Sequence, residues 1–130
     1  MNKARLGVSV LALVLLAATA EAGLKLGYGV VIDTVERSAR GYVADTRNSP
    51  DSMAYLGCVV YAFSTDDPFI ICVAKDELGN QLSCSSSTPS MVAAAQAING
   101  DSLLSFSVDE AGTCTRLLVG KVSYAGPKQP

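Results

Sequence analysis

The chain has 130 residues, a net charge of −2 and four cysteines, and it contains neither His nor Trp. This length is typical of a single domain, and a charged fraction of 17% gives no basic surface for nucleic acid. The absence of His excludes Ser-His-Asp and Cys-His nucleophiles, a histidine general base and most zinc sites.

The first part of the chain has the features of a cleavable export signal. In residues 1–22, two basic residues precede an apolar stretch, and small residues stand at the positions that signal peptidase recognises. The uncharged stretch is shorter than the roughly 20 residues that a membrane span needs. We therefore expect cleavage after Ala22, a single disulfide-stapled β domain over residues 23–130, and a secreted or periplasmic location.

The next segments predict two strands and a loop. Residues 24–34 alternate apolar and polar side chains, which is typical of a half-buried strand. A second short strand is predicted over residues 41–44. Residues 45–52 are rich in Asp, Asn, Ser and Pro, and this composition predicts a loop.

Two apolar runs then predict a β-hairpin. Residues 55–63 and 69–74 are rich in aromatic and β-branched side chains, and a polar turn separates them. Because the runs are almost continuously apolar, they are interpreted as central strands that are buried on both faces. A further turn and a returning strand over residues 81–85 follow. The aromatic residues assigned to the core are Tyr28, Tyr61, Phe63, Phe69 and Phe106.

The cysteines are Cys58, Cys72, Cys84 and Cys114, an even set in a chain predicted to be exported. Two disulfides are therefore expected, since the short CxxC spacing of zinc and redox sites is absent. The first hairpin brings Cys58 opposite Cys72, whereas the second brings Cys72 near Cys84. These geometries compete for Cys72, and of the pairings left open we favour Cys58–Cys72 with Cys84–Cys114.

One helix is predicted after these strands. Thr88 is a suitable N-cap, Pro89 suits the first helical position, and residues 91–98 are rich in Ala. Gly100 is placed to end the helix in a left-handed conformation.

The last predicted element is a hairpin. Leu104, Phe106 and Val108 alternate with serines, which indicates a strand with one buried face. A turn over residues 109–112 and a returning strand over residues 113–124 complete it. The predicted fold class is mostly β, a small antiparallel sheet or sandwich of about six strands with one short helix and two disulfides.

Several segments together resemble a known group of sequences. These are residues 46–52, residues 55–58, the Asp101-Ser102 pair and residues 109–115. The chain resembles a loose set of short exported bacterial proteins that share four cysteines and an Asp-Ser…Gly-x-Cys-Thr ending, over most of residues 45–128. The resemblance implies export from a bacterial cell and assigns no activity, ligand or catalytic residue.

Three pairs of acidic residues are candidate sites. Paired carboxylates can hydrolyse glycosides or bind calcium when they converge. Each pair, however, falls in a predicted turn, where Asp is common because its side chain bonds the backbone. We therefore expect a turn role, with a cost under about 1 kcal/mol for replacing any one of them by Ala. The pairs are Asp66-Asp67, Asp76-Glu77 and Asp109-Glu110.

The sequence favours a non-enzymatic binding, surface or matrix protein. Its expected partner is an unknown protein or a surface glycan, and no catalytic residue, cofactor, metal, nucleic acid or membrane span is expected. The alternative is a small inhibitor of a secreted hydrolase, with Arg47, Asn48 and Asp51 in the candidate binding loop. A His-free carboxylate hydrolase is the third hypothesis.

These hypotheses predict different structures. An inhibitor predicts a prominent loop at residues 45–52 or 83–88, which stands clear of the body of the domain. A surface or matrix protein predicts a flat apolar face or an unprotected edge strand. A hydrolase predicts two carboxylates that converge in one pocket.

Overall fold

The computed structural model describes residues 27–124, in which seven strands form two antiparallel sheets. One sheet has the strand order β1-β2-β6-β7 and the other has the order β3-β4-β5. The predicted export signal of residues 1–22 lies outside the described residues. The elements are β1 (Val31–Asp33), β2 (Ser38–Tyr42), α1 (Val43–Asn48), β3 (Tyr55–Tyr61), β4 (Phe69–Lys75), β5 (Gln81–Ser86), α2 (Pro89–Gln96), β6 (Leu103–Val108) and β7 (Cys114–Gly120).

The core is a single cluster that draws side chains from both sheets and from α2. Leu104 and Phe106 of β6 are fully buried, as is Ile70 of β4. Helix α2 packs against β3, β4 and β7, with Val92 and Ala95 buried. Burying each large apolar side chain stabilises the fold by about 1.5–3 kcal/mol. The mostly β fold class predicted from the sequence is thus confirmed.

Both disulfides form, which confirms that expectation for the cysteines. Cys58–Cys72 links β3 to β4, and Cys84–Cys114 links β5 to β7 and so joins the two sheets. The register explains this pairing. The Cα atoms of Cys58 and Cys72 are 3.9 Å apart, as in the closer, non-hydrogen-bonded type of antiparallel pair. Because the two types alternate, Cys72 and Cys84 form the wider, hydrogen-bonded type. The disulfides indicate an oxidising environment.

The predicted loop at residues 45–52 is helical in its first half, because α1 covers Val43–Asn48. Ala44 and Thr46 are buried, and the Thr46 hydroxyl donates a hydrogen bond to the Tyr42 carbonyl at 2.9 Å. The helix is short. It forms because the packing of its buried side chains outweighs the local preference of Asp, Thr and Asn for loops.

Helix α2 begins where the sequence predicts and ends earlier. Thr88 is the N-cap residue, but its side chain makes no capping hydrogen bond; its carbonyl accepts from Met91 and Val92. The helix ends at Gln96, so the prediction that Gly100 ends it is wrong. After the helix the chain enters a tight turn, in which the Asn99 N–H donates a hydrogen bond to Ser102 Oγ at 2.9 Å.

Candidate binding surface

The β3–β4 hairpin is apolar on both of its faces, but the domain covers only one of them. On β4, Ile70, Cys72 and Ala74 point into the core, and the side chains between them remain partly exposed. Strand β3 alternates in register with β4. The outward side chains, which we call the hairpin face, are Tyr55, Val59, Tyr61, Phe63, Phe69, Ile71 and Val73.

The prediction that residues 55–63 form a central strand is wrong, because β3 is an edge strand of its sheet. The assignment of Tyr28, Tyr61 and Phe63 to the core is also wrong, because these side chains are exposed. Tyr61 is 38% exposed and Phe63 is 54% exposed, whereas Phe106 is fully buried as predicted. A continuous apolar run is compatible with a strand that is covered on one face only, as well as with one buried on both faces. The position of the turn between the two runs is the sequence feature that brings Tyr61 opposite Phe69, on the same face of the hairpin.

The aromatic side chains of the hairpin face form a stack at the end nearest the β3–β4 turn. The Tyr61 and Phe69 rings are 4.9 Å apart between centroids and nearly parallel, at 11°. The Phe63 ring lies 6.1 Å from that of Phe69, at 19°. Stacked aromatic pairs contribute about 0.5–1.5 kcal/mol beyond their buried area. The stack is therefore a preformed apolar surface.

The outward face of the other sheet is different in character. Its central strands present Ser38, Arg40, Ser105 and Ser107 to the outside. That pattern is the usual one for an antiparallel sheet, with an apolar inner face and a polar outer face. The hairpin face departs from this pattern within the same molecule, which marks it as a candidate interaction surface.

Charge is distributed unevenly around the hairpin face. Lys75 is the only charged side chain on β3, β4 and β5, and it lies opposite Tyr55 at the end away from the β3–β4 turn. Asp66 and Asp67 lie in the exposed turn at the other end. Glu77 is exposed in the β4–β5 turn next to Lys75, so the face is apolar along its length and has carboxylates near both ends and one cation at the Lys75 end.

The residues of the candidate binding loop lie on and just after α1. Arg47 and Asn48 are in its last turn and are exposed. Asp51 follows, and its side chain accepts a hydrogen bond from the Met53 N–H at 2.8 Å. The second predicted inhibitory loop, at residues 83–88, is largely strand β5. Half of the first segment and most of the second therefore belong to regular structure.

The three acidic pairs lie in three different turns. Asp109 Oδ1 accepts hydrogen bonds from the N–H groups of Ala111 and Thr113, at 3.0 and 2.8 Å. Asp76 acts in the same way in the β4–β5 turn. These carboxylates hold turns, as expected from their positions.

Two carboxylates from different segments do line one cleft. Asp51 and Glu77 border a depression of about 270 Å³ between residues 28–31 and the start of β3. A glycosidase acid needs a carboxyl group shielded from water; Asp51 has one oxygen buried without a hydrogen bond, whereas the second carboxylate of this cleft, Glu77, is exposed.

Of the titratable groups within residues 27–124, one core tyrosine has a clearly displaced pKa. Burial raises the pKa of Tyr42 above its ordinary value of 10.0, and a hydrogen bond with Tyr124 adds to this effect. Tyr28 also packs against Tyr42, with ring centroids 4.9 Å apart. The group is remote in sequence from the hairpin face and supports the fold.

Alkaline pH should therefore weaken the fold through Tyr42. Because the pKa of Tyr42 is higher in the folded protein, the unfolded chain loses this proton at a lower pH. The stabilisation from protonated Tyr42 is therefore complete below about pH 10 and is lost as the pH rises through the pKa of the folded protein. Thermal melts between about pH 8 and pH 11 should show a steeper loss of stability for the wild type than for Tyr42→Phe. Parallel curves for the two proteins would contradict this.

Comparisons with protein-family models, with curated proteins and with solved structures find no match for this chain. Function must therefore be inferred from the geometry and chemistry of the site. Among residues 27–124, no helix is long and apolar enough to cross a membrane.

Proposed function

We propose that this protein is a secreted or periplasmic, non-enzymatic binding protein whose hairpin face contacts a partner. One observation carries the proposal: the β3–β4 hairpin is apolar on both faces, and the domain covers one. Val59, at 51%, and Phe63, at 54%, are exposed beside the aromatic stack. A contiguous exposed apolar surface of this kind is typical of an interaction site.

The chemistry of the hairpin face favours a partner protein with apolar side chains. A glycan usually binds to aromatic rings through their open flat faces. Here Tyr61 and Phe69 stack on one another, so each ring already covers part of its neighbour. Aromatic side chains are also enriched where proteins bind one another.

The scaffold behind the hairpin face is rigid. Cys58–Cys72 ties the two strands together on the side opposite to the face. A partner that binds a preformed surface loses less conformational entropy than one that must order a loop. The disulfide therefore supports binding through a fixed surface.

The other two hypotheses have less support. An inhibitor requires a protruding loop, and α1 and β5 occupy much of the two segments proposed for one. A hydrolase requires paired carboxylates in a shielded cleft, and the predicted pairs lie in separate turns. The hairpin face has the property that a binding or surface protein requires.

A capture experiment with matched variants tests the proposal. The immobilised, disulfide-bonded protein is exposed to an extract of the native culture, and retained proteins are identified by mass spectrometry. We expect the double variant Tyr61→Ser/Phe63→Ser to retain the specific partner at least about tenfold less than the wild type, because the anchoring rings are lost. Binding to insoluble cellulose, chitin and peptidoglycan is measured in parallel.

Val35→Ser is the control for capture, since Val35 is 86% exposed in the β1–β2 turn, away from the hairpin face. It should bind as the wild type does. Equal retention of the same partner by the double variant would overturn the proposal. Retention on a glycan that the double variant loses would identify a glycan as the partner and overturn the assignment of a protein.

A further inference from the structure

Among the edge strands of the two sheets, β3 has the fewest protective features in its own sequence, and α1 and α2 pack against it. It has seven residues, with no charge, no proline and no irregularity of register. Proteins usually protect long edges with charges, prolines, bulges or very short strands, because open edges pair with other strands. None of these devices is present on β3.

The other edges are each blunted or covered. Strand β1 has three residues. Strand β7 carries Arg116, and its pairing with β6 is irregular between Ser107 and Val108. On β5, the Ser85 N–H donates to the Gly112 carbonyl at 3.0 Å.

The register identifies the backbone groups that β3 offers. Cys58 and Cys72 form the closer, non-hydrogen-bonded pair, so the N–H and C=O groups of Cys58 point away from β4. By alternation, those of Leu56 and Val60 do the same. Within residues 27–124, no backbone hydrogen bond outside the sheets reaches these three residues.

We infer that β3 pairs with β3 of a second copy of this chain, antiparallel and centred on Cys58. About six backbone hydrogen bonds result, because Cys58 then faces its own copy and Leu56 faces Val60 of the second copy. On the outward side, Tyr55 comes opposite Tyr61 and Gly57 comes opposite Val59. Aromatic cross-strand pairs are favourable in antiparallel sheets, so the strand is complementary to itself.

Charge selects this orientation over a parallel one. Lys75 lies at one end of the hairpin, and Asp66 and Asp67 lie at the other. Glu77 is exposed beside Lys75, so the acidic turns decide the orientation. In the antiparallel dimer, the Asp66-Asp67 turns of the two copies lie at opposite ends of the new sheet. In a parallel dimer the two acidic turns would lie side by side and repel. The antiparallel second copy is therefore the occupant that the edge fits.

The dimer makes one sheet from the two three-stranded sheets and brings the two hairpin faces together on the same side. This inference goes beyond the proposed function, because it concerns the backbone edge of β3 rather than partner binding by the side chains. The β3 dimer and partner binding by the hairpin face can therefore be disproved independently of each other.

Amide hydrogen exchange and sedimentation equilibrium test the dimer on the disulfide-bonded protein. We expect a concentration-dependent dimer, in which the amides of Leu56, Cys58 and Val60 become protected as the dimer forms. A protein that stays monomeric to about 100 μM, which excludes any useful affinity, would overturn the inference. So would a dimer in which these three amides exchange as fast as in the monomer.

Two variants with matched controls test the contact itself. Val60→Pro removes the N–H that points to the edge and leaves the hydrogen bonds to β4, whereas Val60→Ala makes a comparable loss of packing and keeps the N–H. We expect Val60→Pro to raise the dissociation constant by at least about tenfold relative to Val60→Ala. Equal dissociation constants for these two variants, when both are folded, would overturn the inference.

Val59→Lys keeps the test decisive if the proline variant does not fold. Val59 is exposed beside the edge, and a lysine there is one of the devices that protects edges. We expect Val59→Lys to be monomeric and the control Val35→Lys to dimerise as the wild type does. A dimer that is unaffected by Val59→Lys would overturn the inference.

Discussion

Reduction of the two disulfides should unfold the protein under conditions where the oxidised form is stable. Each bridge restricts the unfolded chain and stabilises the domain by about 3–4 kcal/mol. The whole stability of a domain is commonly about 5–15 kcal/mol, so the loss of both bridges removes most of it. Urea denaturation with and without dithiothreitol, followed by circular dichroism, measures the shift.

The two disulfides should not contribute equally. Cys84 and Cys114 are 30 residues apart, whereas Cys58 and Cys72 are 14 apart. The longer loop predicts about 0.7 kcal/mol more stabilisation from chain entropy, and this bridge also joins the two sheets. Replacing Cys84 and Cys114 by Ala should therefore cost more than replacing Cys58 and Cys72. An unchanged denaturation midpoint on reduction, or the reverse order of the two variants, would contradict this.

Asp76→Ala should destabilise the protein by about 2–4 kcal/mol, because hydrogen bonds to a charged group are worth more than neutral ones. Asp76 is 4% exposed. Its Oδ1 accepts from the N–H groups of Leu78 and Asn80, at 3.0 and 2.9 Å, and its Oδ2 accepts from Asn80 Nδ2 at 2.9 Å. The substitution removes the acceptor of these three part-buried hydrogen bonds. Urea denaturation of the variant and the wild type gives the difference.

Asp66→Ala is the control for Asp76→Ala, since Asp66 is exposed in the β3–β4 turn and accepts a long hydrogen bond of 3.4 Å from Thr65 Oγ1. It should change the free energy of unfolding by less than about 0.5 kcal/mol. Because both residues lie in turns, the sequence alone predicts the same small loss of stability, under about 1 kcal/mol, when either is replaced by Ala. Burial of Asp76 separates them, and equal effects of the two variants would contradict this distinction.

The sites that support the fold and the surface proposed for binding are separate. Asp76 and the disulfides hold the domain together from inside. Tyr61 and Phe63 lie on the outside, so their replacement by Ser should affect binding far more than stability. This separation allows the binding variants to be compared as folded proteins.

Local elements with strong patterns can be predicted from the sequence alone. The alternation of Leu104, Phe106 and Val108 predicts β6 with its buried face, because a strand places every second side chain on the same side. Thr88 and Pro89 predict where α2 begins. The even set of cysteines in a chain with an export-like start predicts the disulfides. In each case the information lies within a short segment.

Which of those surfaces are covered depends instead on the way the elements pack together. The apolar run of β3 is compatible with a central strand, and its position at an edge depends on how the other strands assemble. The pairing of Cys72 with Cys58 rather than Cys84 depends on which cross-strand pairs are hydrogen-bonded. Likewise, α1 forms in a loop-like segment because Ala44 and Thr46 reach the core. Local sequence sets which side chains share a face, whereas coverage of that face depends on segments distant in the chain, since burial is a property of the packed domain.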